Sequence, residues 1–487
     1  GKYDACKFTH EDYKAARDQW RKRLVGYIEN IDRKDEGINK KLKALTQNAE
    51  KLINSMNHSD GAPILWGDAP PTESGDLITQ YQNIVSLAIA YGTYGTDFYL
   101  NDSLKEGILY ALCWMYENMY GEAEIKGCGW RSINLFNWWD WYVGANEALT
   151  DTLLIMESCL TKEQIHKYMK LPKYLLDNWR LKYTQDQCSG RMAVGTKCAL
   201  ILEDPERLAI AANDYHILLN VVSEGPGTHT DYSNYQHGFP YNLMYGASCI
   251  NRVLRVGSCL TGTPLEFTSY RVYNIYDQFK YMFDAAAFRG RGFVCFNGRA
   301  SCVPEMEKGY ELVDLFAHIL GTFGSEEDEA VRRFIKYSMA TEEQKESIKS
   351  RCSISSYSAI RDALSDDTIP SEDTRNYAHA WFSADRATQH RADYAFLLSM
   401  PSYRHISYEC INHNNVTGWY MNDGALYLYT KTDDHEFDGI NFVRNDRIAY
   451  HIPGTTTDSR QRPAVSISEG WYPENDRVGC MDFEKNY

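Results

Sequence analysis

A histidine and a tyrosine lie eight positions apart in a polar, aromatic segment that glycines interrupt. The segment, Asp231 to Gly246, reads DYSNYQHGFPYNLMYG, and the two residues are His237 and Tyr245. An imidazole and a phenol side by side can remove one proton and deliver another near neutral pH without a metal. Such a pair suits a reaction that begins at an acidic C–H bond and ends at a leaving oxygen atom.

A second unusual string places four aromatic residues within five positions. Residues 137–144 read NWWDWYVG and include Trp138, Trp139 and Asp140. Four such side chains cannot all face one side of a helix, so the string predicts that some are exposed. Exposed tryptophans beside a cleft would stack on sugar rings, and a tightly packed helix junction is the alternative. Asp140 is either a catalytic acid or the cap of the following helix.

Charged residues later in the chain add to these candidates. Arg289 and Arg291 flank a glycine, and Arg299 ends the stretch that follows. Arginine binds carboxylates with two hydrogen bonds, and an arginine beside a tyrosine favours the phenolate. Solvated arginines in a loop are the alternative. Glu409 lies within an apolar strand pattern, where a carboxylate needs a cationic partner, so the sequence predicts pairing with an arginine or a histidine.

Neither the histidines nor the cysteines show the spacing of a metal site. His229, Asp231 and His237 match no standard ligand pair on a helix, so we predict no metal there. The 13 cysteines contain no C-x-x-C pair, and their odd number leaves at least one thiol free. Some disulfide pairing would be allowed in a secreted protein, but the sequence does not select the pairs.

Composition excludes some classes of function and favours others. The 487 residues carry a formal net charge of −15, which argues against a nucleic-acid partner. A polyanionic substrate would need a local cluster of cations inside a cleft. No apolar run approaches the roughly 20 residues of a membrane span. The 36 tyrosines and 11 tryptophans suit sugar binding, and an aromatic-rich core is the alternative.

The first part of the sequence has helical periodicity and few helix breakers. Apolar residues recur at helical spacing over 10–56, and a loop rich in proline and glycine follows at 58–76. Further helical patterns are predicted at 77–95, 101–119, 142–160, 162–181, 205–222, 241–256, 270–287, 309–322 and 326–350. Short polar turns separate these segments, as in helical hairpins.

The pattern changes to strands after about residue 352. Residues 353–385 are predicted as a linker region because serine and proline are frequent there. Strands are predicted to begin at Tyr394, His405 and Gly424, with turn signals between them. The sequence therefore predicts an α+β multidomain chain, with a helical domain over 1–352 and an antiparallel β domain beginning at 386 and running to 487.

Four blocks of the sequence resemble, in the same order, those of polysaccharide lyase family 8, the hyaluronate, chondroitin and xanthan lyases. They are residues 137–153, residues 231–246, the turn at 289–291 and residues 391–456. The resemblance implies an incomplete α/α toroid as the catalytic domain, followed by an antiparallel β-sheet domain of the β-sandwich type. The family's further strands are missing beyond Tyr487, which predicts a processed or truncated chain.

The resemblance also implies roles for single residues. His237 and Tyr245 match the catalytic pair, Arg291 matches a supporting arginine, and Glu409 matches a glutamate that buttresses the site from the β domain. Gln187 falls at the place of the family's carboxylate-binding asparagine, and its amide can donate the same hydrogen bond. We predict the substrate-binding residues to be Asn137, Trp138, Trp139, Arg289, Arg299 and Asn412.

Three positions depart from the family pattern. His237 and Tyr245 are one residue closer than in typical members, and glutamine replaces asparagine at Gln187. Cys295 stands where the family repeats an arginine four places after Arg291. These departures leave the reaction class as predicted but leave the substrate open.

The predicted activity is β-elimination in a uronic-acid-containing polysaccharide of the hyaluronan or chondroitin type. A donor at Gln187 neutralises the sugar carboxylate, and His237 or deprotonated Tyr245 removes the C5 proton. Tyr245 then protonates the leaving glycosidic oxygen, which produces a 4,5-unsaturated uronate end. The reaction requires no cofactor.

Alternative functions stay open at this point. One is a xanthan- or alginate-type lyase. Another is a toroidal glycoside hydrolase, which would use Asp140 and Glu409 as two carboxylates about 5–10 Å apart. A third is a catalytically silent protein that binds acidic glycans. The predicted partners are an acidic polysaccharide and a further C-terminal β segment or chain, and the family likeness implies a secreted or periplasmic protein.

Overall fold

The computed structural model describes most of the chain as helices followed by strands. It describes residues 7–127, 137–179, 185–266, 269–301, 305–321, 324–400 and 424–432, together with positions 402, 404, 405, 408, 409, 415, 421 and 422. Helices occupy this part of the chain up to Ser365, and an antiparallel sheet begins at Tyr377. The predicted order of a helical domain and then an antiparallel β domain is confirmed.

The helices of the described residues are joined mostly by short connections. They are α1 (His10–Val25), α2 (Glu36–Ser55), α3 (Gly75–Gly92), α4 (Asp102–Asn118), α5 (Glu122–Ile125), α6 (Ala145–Ile155), α7 (Lys162–Asp177), α8 (Gln185–Leu202), α9 (Pro205–Leu219), α10 (Ala247–Cys259), α11 (Ser269–Gln278), α12 (Glu305–Ala317), α13 (Ser325–Ser338), α14 (Glu342–Arg351) and α15 (Ile354–Ser365). Neighbours along the chain pack together, as α8 does with α9 and α12 with α13.

Local capping residues explain where several helices begin and end. The Thr9 hydroxyl accepts a hydrogen bond from the Asp12 amide at 3.2 Å, and the Asp12 carboxylate accepts from the Thr9 amide at 2.8 Å. This capping box starts α1. The helix ends at Gly26, whose φ of 83° is unfavourable for residues with a side chain. The predicted helical stretch 10–56 is therefore two helices, because Asp35 caps a separate α2.

Two small β elements interrupt the helical region. Strands β1 (Val221–Val222), β2 (Gly227–His229), β3 (Asn234–Gln236) and β4 (Phe239–Pro240) form one sheet in that order. Strands β5 (Ala287–Phe288) and β6 (Arg291–Gly292) form an antiparallel ribbon. Each element is too short to be stable alone, so the surrounding helices must hold it in place.

The β domain presents one four-stranded antiparallel sheet within the described residues. Its strands are β7 (Tyr377–Trp381), β8 (Arg386–His390), β9 (Tyr394–Ser399) and β10 (Ala425–Thr430), in the order β10-β9-β8-β7. The strands predicted from Tyr394 and Gly424 are confirmed as β9 and β10. The described residues around His405 and Glu409 lie outside strands, so the strand predicted there is wrong for them. The Glu409 carbonyl accepts from the Asn415 side chain at 2.9 Å.

The predicted linker 353–385 is corrected in part. Its first half is α15, which begins because the Ser353 hydroxyl accepts from the Ser356 amide. Helix α15 packs against α1, α12 and α13, so it belongs to the helical domain. The linker's end already contains β7. The serine-rich composition predicted a loop, but serine is also a favoured residue at the N-cap position of a helix.

The helical domain and the sheet share one continuous core. Phe296 from the helical side meets Trp381 of β7 with ring centroids 4.9 Å apart. Polar contacts cross the same boundary, since Tyr235 donates to the Ser383 carbonyl at 2.6 Å and the Trp381 indole donates to the Tyr281 carbonyl at 2.9 Å. A side chain from the sheet region can therefore be held precisely against one from the helical domain.

The thiols and the helix lengths bear on the predictions about compartment. The cysteines of the described residues are free thiols: Cys113, Cys159, Cys188, Cys198, Cys249, Cys259, Cys295 and Cys352. Disulfides among these eight, which the sequence left open, do not form in this structure. In the part of the chain that the structure describes, each helix is too short or too polar to cross a bilayer.

Candidate active site

His237 lies at the tip of a two-residue turn between β3 and β4. Gln236 pairs with Phe239, so only His237 and Gly238 form the connection. Their φ angles are 54° and 76°, the left-handed values that the favoured two-residue hairpin turn requires at both positions. For a histidine this conformation carries some strain, of the kind that concentrates at functional sites. The turn fixes the direction in which the imidazole projects.

Tyr245 lies in a π-helical turn that precedes α10. The turn spans Asn242–Gly246, and the wider coil places the tyrosine where a regular helix would not. Asn242 accepts from the Asn234 amide at 2.8 Å, which ties the π-turn to β3. The rings of His237 and Tyr245 lie 5.4 Å apart between centroids, at 76° to each other. The structure therefore brings together the imidazole and phenol that the sequence predicted.

Arg299 connects to this pair from the stretch after β6. Its Nη2 donates to the Tyr245 hydroxyl at 2.6 Å, and its guanidinium lies 5.3 Å from the centre of that ring. The Arg299 amide donates to the Tyr241 hydroxyl at 3.0 Å. Gly298 has a φ of 54°, and a Cβ there would lie 2.0 Å from Tyr241 ring carbons. Only glycine lets the chain pass so close to Tyr241, and this approach sets the position of Arg299.

Glu409 completes the site from the β domain. Its carboxylate is fully buried, accepts from His237 Nδ1 at 2.7 Å and accepts from Arg299 Nη1 at 2.9 Å. The predicted need for a cationic partner is met by both candidate types, an arginine and a histidine. The four side chains form a continuous chain of hydrogen bonds in the order Tyr245, Arg299, Glu409, His237.

Hydrogen bonding and burial determine what His237 and Tyr245 can do. A carboxylate only accepts hydrogen bonds, so His237 donates from Nδ1, and Nε2 is the ring nitrogen that can carry a lone pair. Burial raises the pKa of the Tyr245 phenol, while the charge and hydrogen bond of Arg299 oppose the rise and Asp186 adds slightly to it. Tyr245 is therefore a neutral phenol at rest, and Arg299 is placed to stabilise the phenolate.

The arginine in contact with Tyr245 is not the one that the sequence favoured. Arg291 was predicted as the supporting arginine, but it lies in β6 with a side chain that is almost wholly buried. Arg299, predicted as a substrate-binding residue, makes the contacts with Tyr245 and Glu409. Arg289 occupies the two-residue turn of the β5–β6 ribbon with a φ of 48°, and its carbonyl accepts from Gln344 of α14 at 3.2 Å.

Gln187 lies in the first turn of α8. It is buried, and its Oε1 has no hydrogen-bond partner among the described residues. The negative charge of the preceding residue, Asp186, adds to the rise in the pKa of Tyr245. The N-terminal turn of α8 therefore approaches the site, and a helix N-terminus favours anions.

The aromatic string 137–144 divides between core and surface. Trp141 is fully buried and stacks on Tyr120, whereas Trp138 and Trp139 are half-buried. The expectation that some of the aromatics are exposed is met only in part, because Trp138 and Trp139 are partly rather than fully exposed. Asn137 is exposed, and its side chain accepts from the Trp139 amide at 3.1 Å.

Asp140 begins the π-helical turn Asp140–Gly144 and accepts a short hydrogen bond from the Ser74 hydroxyl. Burial raises the pKa of its carboxyl group, and Ser74 opposes that rise. Its partner in the hydrolase alternative, Glu409, is already bound to His237 and Arg299. A carboxylate held by hydrogen bonds from an arginine and a histidine is poorly suited to act as a glycosidase nucleophile.

The remaining predicted residues have other roles or lie outside the description. Asn412 lies outside the described residues. His229 Nε2 contacts the Gly225 carbonyl at 2.9 Å, and Asp231 accepts from the Ser233 hydroxyl at 2.6 Å. Within the described ranges, no group of three or more His, Cys, Asp or Glu side chains is arranged to hold a metal ion. The sequence analysis did not single out Tyr241, whose hydroxyl accepts from the Arg299 amide. The feature that could have indicated a close contact there is the glycine at 298, next to Arg299.

Comparison with known families is decisive for the chain as a whole. Residues 20–353 match the profile "Polysaccharide lyase family 8, N terminal alpha-helical domain", and residues 376–486 match its super-sandwich domain. The chain belongs to polysaccharide lyase family 8. The resemblance proposed from four sequence blocks is thereby confirmed.

Family 8 relatives of known activity are similar over nearly all of this chain. Hyaluronate lyase HylB of Enterococcus faecalis (strain ATCC 700802 / V583) is 25% identical over 484 residues, which is 92% of this chain and 46% of the relative. Xanthan lyase of Bacillus sp. (strain GL1) is 26% identical over 456 residues, which is 92% of this chain and 48% of the relative. The chain thus spans about half the length of these family 8 relatives.

Solved structures of family 8 lyases share the fold. A Paenibacillus xanthan lyase superposes with a TM-score of 0.81 at 26% identity, covering 94% of this chain and 43% of that one. A Streptomyces coelicolor A3 chondroitin AC lyase in complex with chondroitin sulphate gives 0.82 at 19% identity, covering 94% and 62%. The predicted α/α toroid followed by an antiparallel β-sheet domain is confirmed.

Proposed function

We propose that this site cleaves a uronic-acid-containing polysaccharide of the hyaluronan or chondroitin type by β-elimination. The observation that carries the proposal is the chain of hydrogen bonds from Tyr245 through Arg299 and Glu409 to His237. It joins an acid and a base that lie side by side, and no metal or cofactor is needed for their proton transfers.

The reaction begins with neutralisation of the sugar carboxylate. The C5 proton of a uronate is only weakly acidic while the neighbouring carboxylate is charged. Gln187, buried in the first turn of α8, supplies an amide donor, and the helix N-terminus adds a favourable dipole. The half-buried Trp138 and Trp139 offer faces on which sugar rings can stack.

His237 is the proposed base. Glu409 accepts a hydrogen bond from Nδ1, which leaves the lone pair on Nε2. This lone pair takes the proton from C5, and the electrons of the C5–H bond move into the carboxylate group to form an enolate. Glu409 then stabilises the imidazolium that forms. Deprotonated Tyr245 is the weaker candidate, because burial raises the pKa of its phenol and keeps it neutral.

Tyr245 is the proposed acid. As the enolate collapses, the C4–O bond breaks, a C4–C5 double bond forms, and the phenol gives its proton to the departing glycosidic oxygen. Arg299 stabilises the resulting phenolate through the 2.6 Å hydrogen bond until a proton is returned to it. The products are a new sugar end with a free hydroxyl and a 4,5-unsaturated uronate.

The first experiment is incubation of the purified chain with hyaluronan, chondroitin sulfates, xanthan, alginate and heparin-type chains. A new ultraviolet-absorbing double bond is expected in the hyaluronan or chondroitin products. Xanthan is included because the identities to xanthan and hyaluronate lyases are nearly equal, at 26% and 25%. Reducing ends without the double bond would establish hydrolysis instead. Tight binding without products from any polymer would establish a silent glycan-binding protein.

A second experiment separates the base from the acid. In Tyr245→Phe the base is intact, so deuterium from D₂O should enter C5 of the uronate without cleavage. In His237→Gln this exchange should disappear. Loss of exchange in Tyr245→Phe as well would make the tyrosine the base.

The proposed function also bears on the location of the protein. The proposed substrates are polymers outside cells, so we expect secretion or a periplasmic location, which fractionation of the producing cells would test. The chain spans about half of its relatives, and we expect a further β segment or chain to complete the β domain.

A further inference from the structure

A buried arginine of the sheet lies directly behind the proposed active site. Arg386 is the first residue of β8 and is 2% exposed. Its guanidinium is sandwiched between two aromatic rings, 5.2 Å from the centre of Phe239 and 4.8 Å from the centre of Phe296. Both rings belong to the helical domain, so the arginine crosses the boundary between the two domains.

The polar contacts of Arg386 are with neutral groups. Nε donates to the Ser399 hydroxyl at 3.1 Å, and Nη2 donates to the Asn422 side-chain oxygen at 2.7 Å. The guanidinium also lies near the Cys295 thiol, where it opposes the rise in the pKa of that thiol that burial causes. Among the described residues the side-chain hydrogen bonds of Arg386 go to these neutral oxygens and not to a carboxylate, and its Nη1 has no hydrogen-bond partner.

A buried cation without an anion is expensive to keep in a fold. Burial of an unpaired charge costs several kcal/mol even after relaxation, and an apolar residue of similar size would be cheaper. For the partners that the structure describes, stability of the interface alone therefore does not account for an arginine at this position. A hydrophobic residue could pack between the two rings but could not donate to Ser399 and Asn422.

The segments that Arg386 touches are those that carry the proposed catalytic groups. Phe239 follows the turn that holds His237, and Phe296 lies three residues before Arg299. Asn422 follows Met421, and the Asn415 side chain donates both to the Met421 sulfur at 3.3 Å and to the Glu409 carbonyl at 2.9 Å. Arg386 thus contacts residues near His237 and Arg299 along the chain, and it is connected to Glu409 through Asn422 and Asn415.

We propose that Arg386 is a positioning residue, which sets the helical-domain groups His237 and Arg299 in register with Glu409 of the β domain. The proposal rests on the function proposed above. A guanidinium is suited to this role because it stacks on two rings and donates in its own plane at the same time. A lysine keeps the charge but offers neither the flat faces nor the fixed directions. A displacement of about 1 Å at such a site can cost about 100-fold in rate.

The test compares Arg386→Lys with a matched control, Arg375→Lys. Arg375 also lies at the boundary between the domains, with a side chain that is 11% exposed, but it donates to Asp373, Asp284 and the Ala287 carbonyl, away from the site segments. We expect Arg386→Lys to lower kcat at least about tenfold with KM within about threefold of wild type. Arg375→Lys should lower the midpoint of thermal unfolding but retain kcat.

A spectroscopic readout makes the test independent of turnover. The His237 Nδ1 proton bound to Glu409 should give a strongly downfield NMR signal, assigned by its loss in His237→Gln. It should shift or broaden in Arg386→Lys and stay unchanged in Arg375→Lys. Equal kcat and equal His237 signals in the two lysine variants would overturn the positioning role. An inactive wild type would refute the proposed function, and the NMR comparison would still decide this one.

Discussion

Two buried clusters of charge in this protein are built from similar residues but are arranged for different purposes. In the helical domain, Asp151 accepts from the Trp20 indole at 2.9 Å and from Lys197 at 2.8 Å. Arg252 donates to Glu147 at 3.2 Å and to Asp186 at 3.2 Å. At the domain boundary, His237, Tyr245, Arg299 and Glu409 form the second cluster.

The helical cluster lies on regular helices and is electrostatically saturated. Its members come from α1, α6, α8 and α10, and each cation has an anion beside it. Burial by itself would raise the pKa of Glu147, but the charges of Arg252, Lys197 and Arg255 outweigh it and lower the pKa to about 2. Such a cluster fixes the packing of helices, and its Glu147 stays ionised near neutral pH.

The boundary cluster lies on turns and on a π-helical segment, and it contains two groups that can exchange protons. His237 has left-handed backbone geometry, and burial raises the pKa of Tyr245 rather than lowering it. The difference teaches that burial of charge is not itself a mark of function. What supports the proposed function of the boundary cluster is its irregular backbone, together with an acid and a base in contact.

The largest expected effect comes from removing the Tyr245 hydroxyl. Tyr245→Phe should lower the rate of cleavage by at least about 10²–10⁴-fold, because the leaving oxygen loses its proton donor. The rate of double-bond formation measures this. Tyr232→Phe is the matched control, since it loses a hydroxyl from the same segment, one that donates to Asp277 at 3.2 Å. Similar activity in the two variants would contradict the assignment.

The same chemical change in both clusters should have opposite consequences. Glu409→Gln should lower kcat about 100-fold, because the amide cannot stabilise the imidazolium of His237. Glu147→Gln should leave kcat within about twofold of wild type but reduce the free energy of unfolding more than Glu409→Gln does. Steady-state kinetics and urea unfolding provide the two measurements. A loss of activity in Glu147→Gln as large as that in Glu409→Gln would remove the distinction between the clusters.

A smaller effect is expected from Gly298→Ala. The added Cβ would collide with the Tyr241 ring, so Arg299 must move away from Tyr245, and kcat should fall about tenfold. Gly262→Ala is the control, because Gly262 also has a left-handed φ, of 77°, with no heavy atom within 4 Å of an added Cβ. An equal loss of kcat in both variants would show that backbone strain, not the position of Arg299, is responsible.

The smallest expected effect is the dependence of stability on pH in the helical cluster. The pKa of Glu147 is lowered on folding from 4.5 to about 2, so its contribution is fully present above pH 4.5 and is lost as the pH falls toward 2. The contribution is at most about 3 kcal/mol. The difference in unfolding free energy between wild type and Glu147→Gln should shrink by about half or more between pH 6 and pH 3. A difference that is constant over this range would show that the charge of Glu147 is not what stabilises the fold.

The sequence by itself determined the family through the resemblance of four blocks, and it also determined the order of the domains and the nearness of His237 to Tyr245. The order of the domains follows from helical spacing in the first part and from alternating strands such as the one from Tyr394. His237 and Tyr245 are close because only eight positions separate them. Short-range geometry of this kind is fixed by nearby residues, so it can be read without coordinates.

Only the tertiary structure decided which arginine contacts Tyr245 and what holds it there. Along the chain Arg291 matches the supporting arginine, but the contact falls to Arg299, because Gly298 passes close to Tyr241 and Glu409 approaches from 110 residues further on. The contacts on which the proposed role of Arg386 rests cannot be derived from the sequence either. Contacts between distant segments follow from how the two domains pack, because a buried charge takes whichever partners the packed core brings within hydrogen-bonding distance.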